Sequence, residues 1–206
     1  FPPGISYITV GQGTELNTRC PASYNYLNSL SETLYFPDEL CNVQGSITDM
    51  RYFYDFDEDV VDRPLTIWMG ETTQATLTNG WIPATELTEV YNGMLTYSAS
   101  ANHIDIPLDT PYQYNGANLV VMVQRPMDTA GFSDNNQFYL DETLYHADRT
   151  RYERDNVVTI DPNNPPTGYS FEKFPQVMFT FFMGEMGELE GTISDDQNQP
   201  LAEALV

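Results

Sequence analysis

Histidines, cysteines and clustered carboxylates are the side chains from which a site for chemistry is usually assembled, and in this chain they are sparse or scattered. Only two histidines occur, His103 and His146. Nucleophilic hydrolysis needs an imidazole held beside a serine, threonine or cysteine, and neither histidine sits in a recognisable setting such as G-x-S-x-G. The two cysteines, Cys20 and Cys41, close a short loop. An even count in a chain read as secreted favours a disulfide between them, worth about 3 kcal/mol in the chain-entropy picture. Two buried free thiols are the alternative. No Cys/His cluster suits zinc. With 30 acidic residues some carboxylates must lie close together, so a glycosidase pair cannot be read from the count.

Calcium is the better chemical candidate. It takes several hard oxygens from carboxylates and carbonyls in one turn. Asp55, Asp57, Asp59 and Asp62 alternate in a single loop that could face one ion, binding it weakly and for stability. The glycine and glutamate of an EF-hand are missing at the required positions. The competing reading is a solvated loop between strands. Asp134-Asn135-Asn136 and Asp161-Asn163-Asn164 are weaker versions of the same pattern. A sugar-stacking face is a further candidate, given 14 tyrosines and 11 phenylalanines. Tyrosines alternating along strands equally suit cross-strand packing.

These residues hang on a chain of short strands. Pro64 to Gly93 is the anchor: an apolar run, Leu65 to Met69, stopped by Gly70; a turn at Asn79-Gly80; then Trp81-Ile82-Pro83 leading to Leu87, Val90 and Tyr91. The only two tryptophans, Trp68 and Trp81, flank that excursion. Further strands are expected at Ile5–Val10, Ser31–Phe36, Gly45–Asp55, Asn102–Leu108, Asn118–Gln124 and Gln176–Phe182. The Asn118 run is continuously apolar and is expected at the centre of a sheet. Weaker candidates are Gln137–Leu140, Arg149–Tyr152 and Val157–Ile160. Asp109-Thr110-Pro111 reads as a turn, and Asp161 to Gly168 as irregular. Many short strands, frequent Gly/Pro/Asn turns and almost no helical period predict an all-β fold, an antiparallel jelly-roll-like β-sandwich over 1–184.

Three runs carry a family resemblance: IWMGET, WIPATELTEVYNG and IPLDTPYQYNGANLVVMV. Together they resemble a non-catalytic β-sandwich module of secreted multidomain surface proteins of Bacteroidetes-like bacteria. Such modules sit beside fibronectin-like, carboxypeptidase-regulatory-like and sorting domains. The resemblance implies an extracellular or cell-surface setting and has no catalytic residues to transfer. Residues 185–206 contain GELEGTISDDQNQPLAEALV, which resembles the opening hairpin of a carboxypeptidase-regulatory-like domain, with Glu203 where a glycine is expected. That segment either starts a next domain or offers a strand for assembly.

Charge sets the remaining expectations. Eight basic residues against 30 acidic ones leave a net charge of −22, which repels nucleic acid and anionic membrane. No apolar run reaches a membrane span. A chain opening on Phe1 is expected to be processed or part of a longer protein. The expected function is a non-enzymatic structural or adhesive module, partnered by copies of itself or by neighbouring domains and requiring no cofactor beyond possible calcium. The alternative is a carbohydrate-binding accessory module. An enzyme would need a deep pocket holding a pKa-perturbed pair.

Overall fold

The computed structural model describes residues 4–142 and 146–184. Two antiparallel sheets face each other. The first has seven strands: β1 (Ile5–Val10), β13 (Val177–Phe182), β4 (Gly45–Asp55), β9 (Gln137–Glu142) and β12 (Lys173–Pro175) in that order, with β2 (Glu15–Asn17) against β9 and β7 (His103–Tyr114) against β4. The second has six, in the order β11 (Tyr169–Phe171), β10 (Thr150–Asp155), β3 (Asn28–Tyr35), β8 (Asn118–Arg125), β5 (Val60–Thr72) and β6 (Thr88–Tyr97). The chain steps from one sheet to the other at β2–β3, β3–β4, β4–β5, β6–β7, β7–β8, β8–β9, β9–β10 and β11–β12, the winding of a jelly roll.

Period-two alternation explains most of these strands. In β4 the residues Ile47, Met50, Tyr52 and Tyr54 are buried against the opposite sheet while their neighbours face out. Buried tyrosines are core here, not a platform: Tyr24, Tyr54, Phe56, Tyr97 and Phe138 meet edge-on or tilted, with ring centroids 4.6 to 6.3 Å apart.

Several expectations need correcting. Asp109-Thr110-Pro111 does not turn the chain but lies within β7. Among the described residues β7 pairs with β4 alone, and an edge strand tolerates the missing N–H of Pro107 and Pro111. Val157–Ile160 is loop, with Val157 85% exposed. Thr88–Tyr97 is a full strand, bulged against β5 at two places, which blurs its alternation. The Cys20–Cys41 disulfide is not formed: both thiols are free, Cys20 wholly buried and Cys41 exposed in the β3–β4 turn. Short sequence spacing did not bring them together, because Cys20 belongs to the space between the sheets, where burial pushes its thiol pKa up. Residues 185–206, where the hairpin was expected, lie outside the described residues.

β8 is the strand that ties fold to site. It is buried on both faces. Leu119, Val121 and Val123 point between the sheets, whereas Val120 and Met122 point outward and are buried all the same. What covers them is a third layer, the loops of residues 73–87 and 156–168. Leu77 and Ile82 pack on Leu34 and Val120, and Ala84 and Ile160 pack on Leu30, Trp68 and Met122. The six-stranded sheet thus has two apolar faces, and its outer one is roofed by loops.

Candidate ligand groove

The roof is fastened from below by one cross-strand pair. Glu32 on β3 and Arg151 on β10 stand directly opposite each other, both buried. Each reaches up to the roof. The Ile82 amide donates to both Glu32 carboxyl oxygens at 3.1 Å. Arg151 donates from Nη1 to the Leu77 carbonyl at 2.7 Å and from Nε to the Thr167 carbonyl at 3.0 Å. Leu77 and Ile82 bracket the turn at Asn79-Gly80, closed by Gly80 N–H to Leu77 O. Trp81 is thereby held at the top of a loop fixed at both ends.

A second loop buttresses it. The Trp81 indole N–H donates to the Pro166 carbonyl at 2.6 Å, and Ala84 N–H donates to Pro162 O. Farther along, Gln124 donates to Ile160 O, and Ile160 N–H donates to Asn28 Oδ1. Gly168 closes the arrangement at φ +62°, where a Cβ would lie 2.7 Å from a Trp81 ring carbon and 3.0 Å from Tyr152 O. Only glycine lets the indole sit down on this loop.

Between the two loops lies an open groove of about 430 Å³. Trp81 and Pro166 supply apolar wall, Asn79, Asn163 and Asn164 supply amides, and Arg151 forms part of the floor. On the far side of Asn164–Pro166 is a second groove of about 490 Å³, bordered by Glu153, Asp155 and Asp161. The first groove has no acidic residue in its lining. In a chain with 30 acids that is a sharp local contrast.

The electrostatics beneath the groove are equally local. Burial pushes the Glu32 carboxyl up to about 8, against the pull of the Ile82 amide and Arg151. The shift favours the neutral form of Glu32, which weakens its compensation of the Arg151 charge. Of the eight basic residues, Arg51, Arg63, Arg125, Arg149 and Lys173 pair with carboxylates. Arg19 and Arg154 lie over aromatic rings, and Arg151 itself lies 6.0 Å from the centroid of the Trp81 ring. Among the described residues Arg151 makes no such ion pair, and its Nη2 has no acceptor.

The four aspartates expected to hold calcium diverge. Asp57 accepts from Ser133 and Asn135 side chains, Asp59 from the Ala99 amide, and Asp62 from the Thr96 hydroxyl; Asp55 is exposed at the end of β4. The chain here crosses from one sheet to the other, so alternate side chains meet different neighbours. Among the described residues no three His, Cys, Asp or Glu side chains converge as a metal site would need. Asp134 accepts from Asn25, and Asp161 closes its own turn by accepting from the Asn163 amide. His103 contacts Asn102 on the surface, and His146 stacks on Phe36 at 3.7 Å. Among the described residues neither histidine is hydrogen-bonded to a serine, threonine or cysteine.

Of the groove residues, the sequence marks Trp81, the Asn79-Gly80 turn and the Asn163-Asn164 pair, but not Arg151 as a member of a site. Arg149, Arg151 and Arg154 put three of eight basic residues into six positions of an acidic chain. That concentration was the available signal. No protein-family profile and no curated protein matches the sequence. Among solved structures the chain is similar to that of the cysteine protease and lectin-like domains of Cwp84, a surface layer associated protein of Clostridium difficile, at 10% identity and a TM-score of 0.43; the match covers 79% of this chain and 33% of that one.

Proposed function

We propose that the chain is a non-enzymatic adhesive module of a secreted or cell-surface protein, and that it holds a saccharide in the groove beside Trp81. The observation that carries this reading is the clamped loop. An indole, three amides and a buried guanidinium ring an open groove on a rigid sheet, and that is the mixture by which proteins hold sugars: a ring face for the C–H side and planar donors for hydroxyls. The sequence resemblance to surface-protein modules and the strongly acidic surface support the extracellular setting. An alternative, self-association into a layer or filament, is favoured by β1, which pairs only with β13 among the described residues and leaves Tyr7 55% exposed.

A glycan array probed with the purified chain tests the proposal. Binding to a defined set of glycans is expected, lost in Trp81→Ala and kept in Tyr7→Ala. Binding that survives Trp81→Ala, or none across the array, overturns it. Sedimentation of the same samples reports on self-association.

A further inference from the structure

Arg151 is 7% exposed, yet one of its nitrogens is unspent. Nε and Nη1 are committed to the Thr167 and Leu77 carbonyls. Among the described residues Nη2 has no acceptor, and it is not one of the sealed, unsatisfied side-chain atoms, which are Tyr24 Oη, Arg63 Nε and Arg125 Nε. Nη2 is therefore not sealed from solvent, and Arg151 lines the groove. A buried cation left with free donors at an open, acid-free groove is an anion-recognition element.

We infer that the groove is specific for a saccharide unit bearing a carboxylate, which Arg151 Nη2 and the neighbouring amides of Asn79 and Asn163 receive while the sugar ring lies against Trp81. This rests on the saccharide reading above and adds the ligand's charge. The location of the acids supports it. A chain of net charge −22 repels an anion at long range, but at about 0.15 M salt that field is screened beyond about 8 Å. Contact distances then decide, and at contact the lining holds a guanidinium and no carboxylate. The adjoining groove is the reverse, with Glu153, Asp155 and Asp161 along its edge. One acidic unit flanked by neutral ones suits the pair of grooves better than a uniform polyanion.

The test compares uronate- and sialate-bearing glycans with their neutral counterparts on the array at about 0.15 M salt. The strongest acidic glycan and its methyl ester are then titrated against the wild-type chain by calorimetry. Because the ester changes only the ligand, no variant has to fold. The free acid is expected to bind at least about tenfold more tightly than the ester, the size of a single charge-assisted contact. Arg151→Lys, which keeps the charge but not the fork, should lose most of that preference. Equal binding of acid and ester, or hits confined to neutral glycans, overturns the inference and leaves the saccharide reading standing. Equal binding of an acidic peptide overturns the saccharide part of the assignment. An array with no hits overturns both.

Discussion

Glu32 shows how a buried acid can serve a scaffold at a cost in stability. Its carboxyl is pushed up to about 8 in the folded chain by burial, and an unfolded glutamate titrates near 4.3. Between those values the folded state binds more protons than the unfolded one, so stability falls as pH rises. Glu32→Gln keeps an acceptor for the Ile82 amide and removes the charge. We expect the wild-type chain to lose a few kcal/mol of unfolding free energy between about pH 5 and about pH 8, and Glu32→Gln to lose much less. Urea melts at several pH values measure this; parallel curves for the two proteins would refute it. Arg149 is the opposite case. Fully buried, it meets Glu39 through two hydrogen bonds of 2.6 Å and lies 3.9 Å above the Phe174 ring. There the charge is matched, and the ion pair fastens the β3–β4 turn to the residue just before β10. None of these roles was legible in the sequence, because burial of a charge depends on which loop lands on it.

At the scale of elements, strands were legible and the roof was not. Gly45–Asp55 and Ile5–Val10 emerge at the expected bounds because their alternation is set by one buried and one open face. β8 reads as a central strand, correctly, but its continuous apolar run does not say whether a second sheet or a loop covers the outer face. Residues 73–87 are polar enough to pass for a surface connection, yet Leu77 and Ile82 in them are buried. The disulfide expectation failed for a related reason: proximity in sequence says nothing about which side of a sheet each cysteine occupies. Gly168→Ala probes the roof directly. A side chain at φ +62° is strained, and its Cβ would press on Trp81 and on Tyr152 O. We expect a loss of about 1–3 kcal/mol and a changed indole environment for Trp81. An indole N–H resonance for Trp81 that does not move, with stability unchanged, would mean that the two loops are not packed as described.

Charge is a property of the whole molecule, and composition predicted it better than any site. Five of the eight cations are spent on carboxylate partners, so the remaining acids face one another across the surface with little compensation. The acid limb of stability is set by a few exceptions. A hydrogen bond from Arg51 holds Asp105 below the usual carboxylate range. Burial pushes Asp128 up, but the hydrogen bonds and charges of Arg125 and Arg63 outweigh it and leave it low. Backbone amides of Val158 and Val157 lower Asp155. Groups of lowered pKa stabilise the fold above their unfolded value and lose that contribution as pH falls through the folded one. Together with Glu32 they place maximum stability between about pH 4 and about pH 6. Above that range repulsion among ionised carboxylates opposes the compact state. Salt should relieve it, since the screening length falls from about 30 Å at 0.01 M to about 3 Å at 1 M. At pH 8 the melting temperature is therefore expected to climb by several degrees (~5 °C) as sodium chloride rises over that interval, and to climb less at pH 5, where fewer carboxylates are charged. Potassium chloride should act alike, because screening does not depend on which monovalent cation does it. A flat or falling curve at pH 8 would show that the ion pairs of Arg51, Arg63 and Lys173, which salt weakens, outweigh the repulsion of the unpaired acids.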